Sequence, residues 1–208
     1  MRIILDDHEL DSISGGAGEA LESARQACES QGRIITDVFL DDRRLDGPDL
    51  DALTADNPAG QVLRCNSTDP LNLVAETFEY VSEALDQVST SHEAIAEHFQ
   101  AGRMAEGLSE LKEALTLWNS VRQGVEQGCL LIGLDIEQWR TEETAVNQAL
   151  TSLASGLEEI RRAISKQDWS SLADTLGYEM QPVVDDWQAF VRLLTERVES
   201  LHGEGGAG

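Results

Sequence analysis

Residues 69–100 read DPLNLVAETFEYVSEALDQVSTSHEAIAEHFQ. Asp69 and Pro70 open the stretch as an N-cap followed by a first helical residue with no N–H to satisfy. Leu71, Val74, Phe78, Val81, Leu85, Val88, His92, Ile95 and Phe99 then follow in alternating steps of three and four. That spacing is a heptad seam, which packs helices at a shallow crossing angle. Gly102 breaks it. A second seam runs through Met104, Leu108, Leu111, Leu115, Trp118, Arg122, Val125, Cys129 and Ile132. Two helices of about 30 residues, each about 45 Å long and joined this tightly, form an antiparallel hairpin.

Towards the C-terminus, residues 128–134 are apolar on all sides and are expected to be buried between two hairpins, with Gly124, Gly128 and Gly133 weakening any helix there. A third helix is expected from Thr141 to Ser165, with Val146, Leu150, Leu153, Leu157, Ile160 and Ile164 inward. Asp168 caps a fourth, which carries Leu172, Leu176, Met180, Val183, Trp187, Phe190, Leu194 and Val198. Pro182 lies inside it and predicts a kink near Tyr178. Both hairpins carry a tryptophan on their second helix, Trp118 and Trp187, a pattern shared by a duplicated hairpin and any four-helix bundle.

The first 66 residues read differently. Arg2–Leu5 is a short strand. A loop over 14–18 leads to a helix with Ala20, Leu21, Ala24, Ala27 and Cys28 inward and Gly32 at its end. Residues 33–40, RIITDVFL, are the richest strand candidate in the chain. Asp46-Gly47-Pro48 is read as a turn, 49–55 as a short helix, 57–60 as a turn and 61–65 as a third strand. The fold class is therefore α+β and predominantly helical. A small α/β unit over 1–67 packs on a bundle of four long antiparallel helices over 68–202, and a glycine-rich tail at 203–208 is expected to be disordered.

Charge narrows the function. The 208 residues hold 39 acids and 15 bases, a net charge of −24. Both parts are acidic, with 14 acids and 6 bases up to residue 66 and 25 and 9 after it. Such a chain repels nucleic acid phosphates and anionic membranes, and it attracts basic protein surfaces. No run approaches the roughly 18 apolar residues of a membrane span, and the apolar run after Met1 is too short for a signal peptide. Three scattered cysteines, Cys28, Cys65 and Cys129, suggest a reducing compartment, so the expected location is cytoplasmic.

Motifs that carry chemistry are missing. Residues 203–208 match GxGxxG, but no strand precedes them and no helix follows. Gly15–Gly18 precede a helix whose first turns hold Glu19 and Glu22, which repel phosphate. Aligned as a calcium loop, 42–53 puts Arg44 and Leu53 at ligand positions. His92 and His98 are six apart and point to different sides of one helix, unlike a zinc pair four apart. No cofactor and no metal are expected. His92 occupies a seam position, as a register-fixing polar residue or a pH switch. Arg122 either pairs with Glu79 or Glu83, or snorkels outward while Val121 fills the seam. Asp174, Tyr178 and Glu179 cluster before Pro182, where the ordinary reading is a solvated face with one buried tyrosine.

The leading expectation is a non-enzymatic protein–protein interaction or adaptor protein. It would bind a partner with basic surface by helix-in-groove or bundle-face contact, in a cleft between the two units. Trp139 and Trp187 are the candidate contacts, although core packing is the commoner role for such residues. Being acidic, small and helix-rich, the chain is similar to bacterial secretion and flagellar chaperones. The likeness is one of composition and assigns no residue. The alternatives are a small enzyme or ligand sensor using the carboxylates near Asp174 and Glu179, and a self-associating structural protein. The seams can close within one chain or between two copies, so a homodimer stays open.

Overall fold

A computed structural model describes residues 1–10, 12, 15–53 and 62–205, with the side chains of 204 and 205 excepted. The fold is α+β and predominantly helical, a small N-terminal sheet followed by a helical bundle. It divides into two compact units, one ending at Leu73 and the other beginning at Val74.

In the first unit β1 (Arg2–Leu5), β2 (His8–Leu10), α1 (Ala17–Ser30), β3 (Ile34–Leu40), β4 (Arg43–Arg44), α2 (Gly47–Asp51) and β5 (Val62–Thr68) build a sheet of order β2-β1-β5-β3-β4. Only β1 and β5 pair in parallel. Ala20, Leu21, Ala24 and Cys28 of α1 pack against Ile3, Leu5, Val38, Leu63 and Cys65 of the strands. Helix α1 ends at Gly32, which takes φ +66° while Arg33 N–H donates to the Cys28 carbonyl, a glycine-specific stop.

Strands β2 and β4 escaped the sequence reading, because runs of three and two residues are too short to show alternation. Each closes a hairpin through an Asp-Asp pair. Asp6 and Asp7 take φ 47° and 66°, Asp41 and Asp42 φ 46° and 66°. A two-residue hairpin loop of type I′ needs positive φ at both positions, and Asp tolerates it better than most residues. Asp46-Gly47-Pro48 is the start of α2 rather than a free turn. Asp46 accepts from Asp49 N–H at 3.2 Å, and Pro48 suits the first helical turn. Strand β5 continues past the expected end to Thr68. The turn expected at 57–60 lies outside the described residues.

The second unit is built from α3 (Pro70–Gln100), α4 (Met104–Leu131), α5 (Ile136–Glu142), α6 (Thr144–Lys166), α7 (Trp169–Asp174) and α8 (Met180–Gly205), with a π-helical turn at Thr175–Glu179. Asp69 caps α3, accepting from Leu71 N–H at 2.8 Å. Side-chain pairings fix the directions. Phe78 lies against Gly128, Val81 against Gly124 and Phe99 against Gly107, so α3 and α4 are antiparallel. Met180 meets Gly156, and Ser89 and Asp86 bond to Gln181 and Gln188, so α8 runs antiparallel to both α6 and α3.

The seam of α4 differs from expectation in a regular way. Leu111, Trp118 and Val125 are buried as read. The second row is not Leu108, Leu115 and Arg122 but the residues one before them: Gly107, Ala114 and Val121, continued by Gly128. Leu108 is 39% exposed instead. A Cβ added at Gly128 would sit 2.6 Å from the Phe78 ring, and one at Gly124 2.8 Å from Val81. The glycines are notches that let large α3 side chains reach the α4 backbone. Each such side chain, fully buried, stabilises by about 1.5–3 kcal/mol. That gain offsets the roughly 1 kcal/mol helix penalty of a glycine.

Three further expectations change. A π-helical turn occupies Thr175–Glu179, where the kink near Tyr178 was expected, and Tyr178 within it is 71% exposed, not buried. The stretch 128–134 is not buried as a whole. Helix α4 runs on to Leu131, and Leu130 is 80% exposed. The tail is helical as far as Gly205, and the rest of it lies outside the described residues.

We expect Gly128→Ala to lower stability by about 1–2 kcal/mol, since overpacking against Phe78 outweighs the better helix propensity. Gly203→Ala in α8, where an added Cβ meets nothing within 4 Å, is expected to raise it by a few tenths. Urea unfolding of the two variants checks both, and an equal gain in both would mean that Gly128 is not a packing notch.

Candidate functional site

His92 sits in the α3 seam, 3% exposed. Trp118 Nε1–H donates to His92 Nε2 at 3.1 Å, so the neutral imidazole carries its proton on Nδ1. Nδ1 has no hydrogen-bond partner. Burial alone pushes the imidazole pKa down to about 4. The pair opens a column of rings through the core. Trp118 meets Trp187 edge-on at 5.8 Å, Trp187 meets Phe190 at 5.7 Å, and Phe190 meets Trp139 at 6.0 Å. Edge-to-face spacing of this kind adds to the burial of each ring.

The column separates the two tryptophans singled out by sequence. Trp187 is 1% exposed and donates to the Ala149 carbonyl at 2.8 Å. As a contact for a partner it is corrected to a core residue, because its one polar atom is already satisfied inside. Trp139, on the short helix α5, is half-buried and stands at the outer end of the column. Arg122 lies on the surface and pairs with Glu126 of its own helix, while Val121 fills the seam. Asp174, Tyr178 and Glu179 are all exposed, and Glu179 accepts from the buried Thr175 hydroxyl at 3.1 Å. Burial pushes the Cys65 and Cys129 thiols up to about 12, so both stay protonated near neutrality. Among the described residues no group of three or more His, Cys, Asp or Glu is placed to hold a metal ion.

One polar cluster had gone unnoticed. His98 Nε2 stands 3.1 Å from Glu110 Oε1, and Arg103 Nε donates to His98 Nδ1 at 2.7 Å. The three residues tie the α3–α4 corner beside the Phe99–Gly107 notch. The six-residue spacing from His92 already turned His98 to another side of α3, but its partners come from the next helix.

A concave feature beside exposed leucines is the corner between α4 and α5. Helix α4 closes there with Gly133 at φ +68° and Leu134 N–H donating to the Cys129 carbonyl at 2.8 Å. Near it Leu130 is 80% and Leu131 39% exposed. Beside them is a concavity of about 530 Å³ lined by Leu130, Leu134, Ile136, Glu126, Asp135 and Glu137. A second, of about 380 Å³, shares Gly133, Leu134 and Asp135 with the first and reaches Gln138, Trp139, Glu142 and Arg197. Asp135 also caps α5, accepting from Glu137 and Gln138 N–H. The sequence reading marked 128–134 as apolar, but Gly128 and Cys129 take the inward side of the last turn of α4 and leave Leu130 and Leu131 on the outer side.

His92 makes stability depend on pH. Its folded pKa, about 4, lies below the ordinary 6.5, so the unfolded chain binds the proton first. The stabilisation is complete above pH 6.5 and is lost as pH falls from there to about 4. By pH 5 the loss is about 2 kcal/mol. We expect His92→Gln, which does not titrate, to remove that part of the slope. Urea unfolding of both proteins at pH 7.5, 6 and 5 is the check, and parallel slopes would refute it.

No curated protein and no solved structure matches the chain. A family described as a domain of unknown function, DUF8042, matches residues 76–190. The matched stretch begins in α3, ends in α8 and holds the His92–Trp118 pair and most of the α4–α5 corner, while the sheet unit lies outside it. It covers more than half of the 208 residues, and the chain belongs to the DUF8042 family.

Proposed function

We propose that this chain is a non-enzymatic, acidic protein-interaction module of the cytoplasm, and that its partner presents a basic surface to the α4–α5 corner. The observation that carries the reading is the exposure of Leu130, at 80%, beside an apolar concavity. A leucine costs about 1.5–3 kcal/mol to leave in water rather than bury, and neighbouring leucines in the open mark an interaction surface. The net charge of −24 supplies the steering. Charge speeds the encounter and selects against acidic partners, and the leucines hold the complex. No described helix is long and apolar enough to cross a membrane, and the charge disfavours nucleic acid and anionic lipid. The same self-repulsion weighs against a homodimer.

A catalytic role for Asp174, Tyr178 and Glu179 has less behind it. All three stand in solvent, and none of them lines a concavity described above.

The expected result of affinity capture from lysate is one stoichiometric basic partner, weakened by raising the salt. Leu130→Glu, at a position too exposed to matter for folding, should weaken that complex by about tenfold or more. Absence of any partner at low and high salt would sink the reading. A partner held equally well by Leu130→Glu would move the contact to another face.

A further inference from the structure

The two concavities at the α4–α5 corner adjoin through Gly133, Leu134 and Asp135, so they form one continuous surface. The first is floored by the apolar Leu130, Leu134 and Ile136, and the second is more polar, with Leu134 and Trp139 as its apolar lining. The lining carboxylates of the surface are Glu126, Asp135, Glu137 and Glu142, of which Glu126 pairs with Arg122 and Glu137 with Arg140, and Arg197 is the one guanidinium that lines it among the described residues. The site therefore asks for apolar side chains in the middle and cations at the margin.

Backbone chemistry restricts the occupant further. The carbonyls of Gly128, Cys129 and Leu130 at the end of α4 already accept from Ile132, Leu134 and Gly133 N–H. The corner is helical on both sides and has no strand edge. A segment bound here in extended form would find no ladder for its own N–H and C=O groups. A helix brings its backbone bonds with it and offers only side chains.

We propose that the α4–α5 corner docks a single basic amphipathic helix of a partner protein, apolar face down on Leu130, Leu134 and Trp139, with lysines or arginines flanking it opposite Asp135 and Glu142. This rests on the reading of the chain as a module for basic partners and adds the conformation and residue pattern of what is bound. A helical segment places apolar residues at i, i+3, i+4 and i+7 on one face, which suits an apolar floor with charged margins. A second copy of this chain would bring the same carboxylates and meet repulsion.

The test uses the full chain and two synthetic peptides of identical leucine and lysine composition. In one, the leucines follow i, i+3, i+4, i+7. In the other, the order scatters them around the helix. Calorimetric titration at physiological salt is expected to give a Kd about tenfold or more lower for the ordered peptide. Leu130→Ser should erase most of that preference, and Trp139→Phe should remove the indole fluorescence change on binding. Circular dichroism of each variant confirms that it folds. Equal binding of both peptides would overturn the helix while leaving a basic partner in place. Binding of neither would overturn the basic-partner reading as well. A preference that survives Leu130→Ser would place the helix elsewhere and refute the assignment. Sedimentation showing a dimer that Leu130→Ser dissolves would give the corner to a second copy and refute it too.

Discussion

Close approach of α3 to α4 governs the bundle. Phe78, Val81 and Phe99 of α3 reach the α4 backbone at Gly128, Gly124 and Gly107, where any larger residue would hold the helices apart. Packed interiors tolerate few voids and little excess volume, so the depth of these notches sets the helix separation over the length of the pair. The position of Trp118 follows, and with it the hydrogen bond to His92 and the column that runs through Trp187 and Phe190 to Trp139. A polar residue is affordable at that depth because one ring nitrogen is paired. The bare Nδ1 and the depressed pKa mark what remains of the cost.

The outside of the bundle obeys a different constraint. With 39 acids in 208 residues, four of the bundle's arginines are drawn into local pairs: Arg122 with Glu126, Arg161 with Glu158, Arg162 with Glu159 and Arg140 with Glu137. Exposed pairs of this type contribute little to stability, and they leave a large surplus of negative charge for the solvent and for partners. Against that background an open leucine surface is unusual. Helical phase brings it about, since Val121, Val125, Gly128 and Cys129 take the inward face of the last turns of α4 and Leu130 and Leu131 fall off that row. Stability and interaction thus draw on different parts of one helix: glycine notches along α4, and leucines at its C-terminal end.

Much of the architecture was legible in local pattern. The Asp69-Pro70 start, the three-and-four spacing through Phe99 and the break at Gly102 are properties of short segments, and each appears in the structure at the expected residue. The sheet unit was partly legible. Strand β3 and helix α1 announce themselves by β-branched density and by period, whereas β2 and β4 exist only because Asp6-Asp7 and Asp41-Asp42 fold the chain back onto a strand already in place. The candidate site was legible in composition and not in exposure. Residues 128–134 were marked as apolar, but an apolar run predicts burial unless the neighbouring helices leave it uncovered.

By itself, then, the sequence determined the helix seams, the caps, the acidic surface and the absence of a recognisable catalytic motif, all of which depend on residues within a few turns of one another. Tertiary structure alone decided which of two adjacent rows on α4 faces inward. The three-and-four step selects Leu108, Leu115 and either Arg122 or Val121, but the partner helix selects Gly107, Ala114 and Val121, because the bulk at that interface is supplied by α3. It also decided that Trp187 lies in the core while Trp139 lines an open concavity, and that Leu130 faces solvent. Which apolar groups are left over is settled only once every helix has taken its neighbour, and no local period records that outcome.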